Sequence, residues 1–507
     1  MSGKISVSII IPSRGRPYLI PGLINALRYL THPAFEVILV GEHKEVTSYD
    51  LQEDLRNSIH YFPCFEANIS AARNIGLRAA RSEVVAFIDD DSVPEPDWLC
   101  RLTDPFVDPK VGVAGGPVRD RDGVRFQFEG ARFNRVADEE PLDLESAARA
   151  VAETGLIFAP DRQRPVGVMG TNCAFRRKAV AALGGFDESY IYYLDETDMV
   201  LRMNEAGWST AWAPDAEVHH HSDQNGMRGR HREPRDPYQL GASKAYFCKC
   251  HAPGGECDAA VERFNKRRQR DFDQHISVGR ITGADRAFME QRLKAGLAEG
   301  AEREPRLPLY ATESERLIMP FAERLPNSRL SLALVSGWGL PSGIRTDYLA
   351  RALVARGHRV SLISFGSGNH PLRVAQMDGL WEHTGGTWTL TKGGRLGAIL
   401  DIYRGRRAMA EIDRILPRRR FDAVIRPRSW SRMLGAAPAQ PLNCRDDRLR
   451  LAVELVDTER SDGNALLERV EIEVAAALDQ EPFDPGRAPW TGTSVSTPPP
   501  SATVSPG

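Results

Sequence analysis

The clearest pattern in the chain is a run of five apolar residues that ends in three carboxylates. Three of the five residues in Val84–Ile88 are β-branched, which predicts a strand buried on both faces. Asp89, Asp90 and Asp91 follow where this strand should end, and a proline at position 94 prevents its continuation. Because open α/β sheets bind ligands at the carboxyl ends of their strands, the carboxylates are predicted to lie at a ligand-binding edge. A solvated acidic turn is the alternative interpretation.

Strand and helix patterns alternate before this acidic strand. The apolar run Ile5–Ile11 is closed by Pro12 and predicts a first strand. Leu19–Leu30 has helical periodicity, and Phe35–Val40 predicts a second strand. An Ala-rich helix beginning near Asn68 then leads into the acidic strand. This order favours a parallel sheet with right-handed crossovers.

The pattern continues less regularly beyond the acidic strand. Val111–Gly116 predicts a short strand that leaves the sheet. Gly184–Asp187 is typical of a turn, and Leu194–Met199 begins an amphipathic helix that Gly207 ends. Trp208–Val218 predicts one further strand. These elements extend the same α/β unit to about residue 250.

A second strand–helix–strand pattern occurs near the C-terminal end of the sequence. Residues 253–327 are charged and predict a helical connector. Arg329–Val335 then predicts a strand, Tyr348–Arg356 a helix and Val360–Ser364 a second strand. The final twenty or so residues are rich in Ser, Thr and Pro, which predicts disorder. The sequence thus indicates two α/β units of unequal size.

Composition narrows the class of protein. A chain of 507 residues is expected to form two or three domains, and a formal net charge of -2 weighs against general nucleic-acid binding. Seven cysteines at scattered positions fit a reducing compartment. The start Met1–Lys4 runs directly into a strand, unlike a signal peptide, and no apolar run approaches the roughly 20 residues that span a bilayer. We therefore expect a cytoplasmic protein.

Two acidic groups carry the candidate chemistry. Three adjacent carboxylates repel one another, so Asp89, Asp90 and Asp91 indicate a bound cation or donor groups among them. Asp195 and Glu196 stand at the start of a predicted helix, where one of them can serve as a general base. The alternative role is electrostatic stabilisation of the helix N-terminus.

At this point a resemblance becomes specific. Residues 4 to about 250 resemble a family 2 glycosyltransferase of the GT-A fold, a nucleotide-sugar-binding mixed sheet with flanking helices. The motifs that carry the resemblance occur in the family's order: Ile10–Pro12 with Arg16, Ala72–Gly76, Asp89–Asp91, Gly184–Asp187 and Asp195–Asp198. The ordered set is far more specific than any one motif.

The resemblance implies a role for each candidate site residue. Asp91 would hold a divalent cation, Mn²⁺ or Mg²⁺, that bridges the donor's phosphates, with Asp89 and His220 as further ligands. Hard oxygen ligands suit these ions. The residues implied in donor binding are Pro12, Arg16, Arg73, Asp89 and Asp90.

The candidate base departs from the family pattern. The family usually writes Glu-Asp-x-Asp with the second residue as the base, whereas this chain reads Asp195-Glu196-Thr197-Asp198. Glu196 therefore occupies the base position, and Asp195 stays open as the alternative. A second departure is Glu42, which stands where the family commonly has an Asp near the nucleobase.

The second unit resembles the N-terminal half of a family 4 glycosyltransferase of the GT-B type. The residues that carry this resemblance are Pro341–Ile344 and Leu349–His358. The half that grips the donor in that family is missing from the sequence pattern, so we interpret the unit as a smaller Rossmann-like binding module. The predicted domains are 1–252 (GT-A), 253–327 (connector), 328–440 (partial GT-B) and 441–507 (weakly structured region and tail).

These patterns predict a metal-dependent, inverting glycosyltransferase. Its partners would be a nucleotide-sugar donor and a glycan or lipid-linked acceptor, with no nucleic acid. The hypothesis includes peripheral contact with the inner face of the membrane. The alternatives are a nucleotidyltransferase, which also uses carboxylates and a metal, and a catalytically silent scaffold that acts through the C-terminal unit.

Overall fold

The structure, a computed structural model, divides the chain into two compact units, Met1–Leu325 and Pro326–Gly507. The residues that it describes are 5–120, 126–143, 156–221, 227–229, 233–308, 320–321, 330–338, 349–350, 352–366, 371–376, 382–387, 421–427, 440–441, 451–455 and 463–480. Among these residues, no helix combines the length and the apolar character needed to cross a bilayer.

The described strands of the first unit include an eight-stranded sheet. In sheet order its strands are β11 (Leu156–Phe158), β13 (Ser209–Trp212), β6 (Val111–Gly115), β12 (Cys173–Arg176), β4 (Val84–Phe87), β1 (Val7–Ser13), β2 (Phe35–Gly41) and β3 (His60–Pro63). The pairs β1–β2, β1–β4, β2–β3 and β6–β13 are parallel, whereas β12 is antiparallel to both β4 and β6. The sheet is therefore mixed.

Both faces of this sheet are covered, as the sequence pattern predicts. Val84 and Ala86 belong to one hydrophobic cluster, while Val85 and Phe87 belong to another on the opposite face. All four side chains are fully buried. A two-sided core of this kind requires helices on each face, and it explains why the strand has no alternating polar positions.

The helices of the first unit lie around this sheet. Their bounds are α1 (Ile20–Leu27), α2 (Glu53–Asn57), α3 (Ile69–Ala79), α4 (Trp98–Thr103), α5 (Arg177–Ala182), α6 (Asp195–Glu205), α7 (Tyr238–His251), α8 (Cys257–Ser277) and α9 (Gly283–Glu302). The mixed sheet with flanking helices confirms the predicted fold class.

The described residues of the first unit also form two smaller sheets. One has the order β5 (Ser92–Pro94), β14 (Val218–His220), β7 (Val118–Arg119) and β8 (Phe126–Phe128); the other pairs β9 (Ala131–Phe133) with β10 (Glu139–Pro141). The predicted strand Trp208–Val218 is thus divided between two sheets. Val111–Gly116 does not leave the main sheet as predicted, because β6 is paired on both sides, by β12 and β13.

Helices of the predicted connector belong to the first unit in the structure. The glycines of α9 allow close approach to α7: a Cβ at Gly296 would lie 2.0 Å from the Tyr238 carbonyl oxygen, and one at Gly300 would lie 2.0 Å from that of Ala242. Phe321 also packs on the main sheet, stacked against Phe35 at 5.5 Å between ring centroids. The boundary between the two units falls after these contacts, at Leu325.

The second unit has its own sheet. The described strands, in sheet order, are β18 (Glu382–Thr387), β17 (Pro371–Gln376), β16 (Arg359–Gly366), β15 (Ser331–Trp338), β19 (Ala423–Pro427), β21 (Leu451–Leu455) and β20 (Gln440–Pro441), and α10 (Gly463–Gln480) follows. Only the central pairs β15–β16 and β15–β19 are parallel among these strands. The family 4 motif Pro341–Ile344 lies outside the described residues.

Candidate active site

The register of the central strands brings the acidic cluster beside the first loop. Ile10 of β1 pairs with Phe87 of β4, so the residues after these two strands continue side by side. The Ser13 hydroxyl consequently donates a hydrogen bond of 2.8 Å to Asp90. Parallel pairing thus holds the carboxylates at the carboxyl edge of the sheet, as the sequence pattern predicts.

Arg16 links two of the three carboxylates. Its guanidinium donates to Asp90 at 2.5 Å and to Asp91 at 2.6 Å. Burial raises the pKa of Asp90 to about 7, although Arg16 acts in the opposite direction. Asp90 is therefore held within the protein, facing Ser13 and Arg16.

His220 reaches the cluster through strand pairing. In the small sheet, His220 of β14 lies opposite Ser92 of β5, the residue that follows Asp91. Its Nε2 atom lies 3.1 Å from an Asp91 carboxylate oxygen and 4.0 Å from Asp89, and its Nδ1 atom is 2.9 Å from Gln127. The contact with Gln127 fixes the ring so that Nε2 faces the acidic cluster.

Asp89, Asp91 and His220 form a group that fits a metal ion. Each offers a ligand atom, and these atoms lie within 4.8 Å of one another. Asp91 also contacts Arg228 at 3.0 Å. Burial opposes ionisation of Asp91, but His220, Arg16 and Arg228 hold its pKa well below the usual value. Asp91 therefore presents a charged carboxylate, which is the form that binds a cation.

A cleft of about 600 Å³ opens beside this group. Pro12, Arg16 and Asp89 line it, together with the cations Arg14, Arg228 and Arg235. Glu42 lies in the same cleft and accepts a hydrogen bond of 2.6 Å from the Gly15 amide. The cleft thus combines arginines with the most exposed carboxylate of the cluster, an arrangement suited to a phosphate-bearing ligand and its metal.

The second acidic group lies at the start of α6. Tyr193 and Leu194 precede the helix with left-handed backbone angles, φ 75° and 68°. Such angles are unfavourable for side chains larger than glycine and are found where surrounding structure imposes them, often at functional sites. Asp195 and Glu196 are therefore presented by a locally constrained turn.

Asp195 and Glu196 have different environments. Asp195 is buried and forms an ion pair with Arg73, which is itself buried and does not line the cleft. Glu196 is one-fifth exposed and accepts a hydrogen bond of 3.3 Å from the Gly170 amide. Burial, and next the charge of Asp195, raise the pKa of Glu196 to about 8. Glu196 is therefore a carboxylate that can accept a proton near neutral pH.

A single turn connects the two acidic groups. While the Gly170 amide donates to Glu196, the hydroxyl of the next residue, Thr171, accepts from the Asp89 amide at 3.4 Å. Asn172 anchors this turn by donating to the carbonyl oxygens of Pro117 and Ala216. One turn thus contacts both the segment after β4 and the carboxylate on α6, although more than 100 residues separate them in sequence.

Asn74 and Asp198, which belong to two further motifs, hold the elements around the site in place. The Asn74 side chain both donates to and accepts from the backbone of Phe186, so that α3 holds the glycine turn before α6. Asp198 is paired with Arg202 at 2.7 Å and with His251 at 2.8 Å. Sequence patterns did not identify His251, Ser13 or Thr171, because each meets its partner only through tertiary contacts.

Comparison with known families identifies the class of this domain. The family described as Glycosyl transferase family 2 matches residues 8–184. These residues contain the acidic cluster, the first loop and the turn that contacts Glu196. Residues 8–184 of the first unit thus match this family model, in line with the resemblance of the motifs. The match does not extend to residues 328–430, so the family 4 resemblance of the second unit is not supported.

The relatives share only parts of the chain. An uncharacterized protein y4gI of Sinorhizobium fredii is 26% identical over 258 residues, 46% of this chain and 26% of that protein. An N-acetylglucosaminyl-diphospho-decaprenol L-rhamnosyltransferase of Mycobacterium tuberculosis is 40% identical over 76 residues, 15% of this chain and 22% of that protein. The succinoglycan biosynthesis protein ExoM of Rhizobium meliloti is 28% identical over 220 residues, 41% and 65% respectively. The chain thus spans about a quarter of the length of the first two.

Proposed function

We propose that this protein transfers a sugar from a nucleotide-diphosphate donor to a hydroxyl of a glycan or lipid-linked acceptor, with inversion and with a divalent cation. The observation that carries the proposal is the turn at Gly170 and Thr171. It joins a metal-binding type of cluster to a carboxylate that can accept a proton. Metal-assisted inverting transfer uses both groups at one site, because the ion neutralises the leaving diphosphate while the base acts on the opposite face of the sugar.

The donor diphosphate would occupy the arginine-lined cleft. Asp89 offers its carboxylate there, and Arg228 and Arg235, which line the same cleft, would contact phosphate oxygens. Arg16, paired with Asp90 and Asp91, and Arg228, paired with Asp91, would also hold the carboxylate cluster in place. Donor binding in this site would therefore depend on both these arginines and the carboxylate cluster.

Asp89, Asp91 and His220 would hold the cation. Two carboxylates and an imidazole fit Mn²⁺ or Mg²⁺, for which carboxylate oxygens are preferred ligands and Mn²⁺ also accepts nitrogen. When bound, such an ion neutralises charge that develops on the leaving diphosphate. The protein's own contribution is to keep Asp91 ionised through neighbouring cations and to orient His220 through Gln127.

Glu196 would act as the general base. Asp195 is the other candidate, but its carboxylate is buried against Arg73, whereas Glu196 retains exposure and a hydrogen bond from Gly170. On this proposal Glu196 takes the proton of the acceptor hydroxyl as the new glycosidic bond forms. The sugar–diphosphate bond breaks on the opposite side, and the nucleoside diphosphate leaves.

The names of the relatives suggest the acceptor class. They include a rhamnosyltransferase whose name specifies a diphospho-decaprenol substrate and proteins of succinoglycan and O-antigen biosynthesis. We extend this to a surface-glycan or lipid-linked acceptor for the present chain. Peripheral contact with the inner face of the membrane belongs to this proposal, because a lipid-linked acceptor is presented there. The family match favours sugar transfer over nucleotidyl transfer.

A donor screen tests the proposal directly. Melting temperatures are measured with a panel of nucleoside-diphosphate sugars, each with Mn²⁺ and with EDTA. We expect stabilisation by one nucleotide class, with the metal required, and loss of that stabilisation in Asp91→Asn. Asp97→Asn, a carboxylate outside the site that pairs with Arg101, is the matched control. Absence of nucleotide-dependent stabilisation across the panel would contradict the proposal, as would retention of the stereochemistry in the transferred sugar.

A further inference from the structure

The buried guanidinium of Arg73 lies next to the candidate base, Glu196, and is held by several contacts. The guanidinium is buried against two aromatic rings that pack edge to face, 5.7 Å from the Phe87 centroid and 5.6 Å from the Phe186 centroid. Such stacking restrains its plane. It is paired with Asp195, and its Nη1 atom lies 3.9 Å from a Glu196 carboxylate oxygen. One cation therefore faces both carboxylates at the start of α6.

Gly170 contacts both Arg73 and Glu196. A Cβ atom at this position would lie 2.3 Å from Arg73 Nη2, so any larger residue would displace the guanidinium. The same residue donates its amide proton to Glu196. Arg73 and Gly170 together surround the carboxylate of Glu196 with a positive charge and a hydrogen-bond donor, and each constrains the other.

We propose that Arg73 is a positioning residue that fixes the location and charge of Glu196 through Asp195, and that position 170 is glycine because the guanidinium occupies the space of a side chain. This inference rests on the proposed role of Glu196 as the base. The sequence resemblance implied that Arg73 binds the donor, whereas this inference gives Arg73 a positioning role at Glu196. The distinction is testable because a donor ligand and a positioning residue affect different measurements.

The charged and titratable groups that face Glu196 determine what the variants should do. They are Arg73 from α3, Asp195 from the same helix, and two groups whose raised pKa keeps them neutral, Tyr193 before the helix and Cys173 on β12. Arg73 favours the ionised form of Glu196, and Asp195 opposes it. Removal of Arg73 should therefore raise the pH at which Glu196 titrates, and removal of the Asp195 charge should lower it. Opposite charges at 4–6 Å shift a carboxyl pKa by about 1–3 pH units.

The experiment measures the acidic limb of kcat/KM against pH, with the donor found in the screen, for Arg73→Gln, Arg73→Lys and Asp195→Asn. We expect the limb to move up by about 1–3 pH units in Arg73→Gln, to move down in Asp195→Asn and to stay near the wild-type position in Arg73→Lys. kcat should fall by about 100-fold in Arg73→Gln, as misplacement of a catalytic group commonly costs, while donor Kd stays unchanged. Arg78→Gln, an exposed arginine of the same helix, should behave as wild type.

Gly170→Ala tests the arrangement without altering a charge. The added methyl group should push the guanidinium away and move the limb in the same direction as Arg73→Gln. Arg73→Gln leaves Asp195 buried without its partner, and this variant could fail to fold. Gly170→Ala keeps that ion pair's charges and therefore still tests the inference. Infrared difference spectra, with Glu196→Gln used to assign the carboxyl band, follow the same titration without substrate, so the result does not depend on the proposed function.

Two outcomes would overturn the inference. One is a titration of Glu196 that is the same in wild type, Arg73→Gln and Gly170→Ala. The other is a large loss of donor affinity in Arg73→Lys with an unchanged pH profile, which would make Arg73 a donor ligand. If wild type neither binds nor turns over any donor but the infrared shifts occur, the positioning role stands and the proposed function fails.

Discussion

The two acidic regions of the site use the same residue types for opposite purposes. Around Asp91, the influence of His220, Arg16 and Arg228 outweighs burial and holds the pKa of this carboxyl well below the usual value. Around Glu196, burial and the neighbouring Asp195 outweigh Arg73 and raise the pKa to about 8. One region is therefore arranged to keep a negative charge and the other to take up a proton.

This difference follows from the ratio of cations to carboxylates in each region. Arg16 and Arg228, from two separate segments, converge on the cluster after β4, whereas Arg73 is shared between two carboxylates at the start of α6. When two like charges share one counter-charge in a buried site, one of them is forced toward its neutral form. Local charge balance, rather than residue identity, thus separates a carboxylate that stays ionised from one that takes up a proton.

Among the predictions, Asp91→Asn should have the largest effect, because it alters the cluster proposed to hold the cation. The amide keeps the shape but removes the negative charge that pairs with Arg228 and with one end of Arg16, and it removes a ligand from the metal group. We expect turnover to fall below detection and metal-dependent donor binding to be lost, measured by calorimetry with Mn²⁺. The Asp97→Asn control should retain both. Donor affinity equal to wild type in Asp91→Asn would show that the cluster does not hold the cation.

Glu196→Gln should reduce turnover less than Asp91→Asn does. General-base catalysis contributes roughly 10²–10⁴-fold, so kcat should fall by that factor while donor Kd is unchanged. Glu205→Gln is the matched control on the same helix, where the carboxylate pairs with Arg135 at 2.6 Å. If Glu196 only stabilises the helix N-terminus, the loss should instead be about 0.3–1 kcal/mol of unfolding free energy with turnover intact.

The pH dependence of kcat/KM in the wild-type enzyme tests the state of Glu196 without any substitution. A base must be ionised to accept a proton, and the pKa of Glu196 is raised to about 8. We therefore expect kcat/KM to rise with pH up to about 8, and to fall about tenfold for each pH unit below that. The measurement is a profile of kcat/KM in the free enzyme, with the limb lost in Glu196→Gln. A limb near 4.5, the ordinary value for Glu, would mean that the surroundings of Glu196 do not act as described.

The smallest effect is expected when the second unit is removed. A chain truncated after Leu325 keeps Phe321, whose amide donates to the Phe35 carbonyl oxygen at 2.8 Å. Both acidic regions lie within this part, so turnover on a simple acceptor should be unchanged. Circular dichroism and melting temperature establish that the shortened chain folds. A folded but inactive truncation would assign the second unit a part in catalysis.

Much of the fold followed from local pattern. The run Val84–Ile88 predicted a strand buried on both faces, and the structure has this strand at the centre of the main sheet, with core on each side. The carboxylates after it are placed at the sheet edge because parallel strands end together. Periodicity could not show that β6 stays within the sheet or that Trp208–Val218 divides between two sheets, because strand order depends on distant partners.

The chain's sequence alone determined which carboxylates are present, in what order, and at which ends of strands and helices they stand. Only tertiary structure decided their charge states and partners. Arg73 meets Asp195 across 122 positions, and Ser13 meets Asp90 across 77. A pKa depends on burial and on every nearby charge, and these are summed over the whole fold. For this reason the order Asp195–Glu196 was visible in the sequence, but the difference between the two side chains was not.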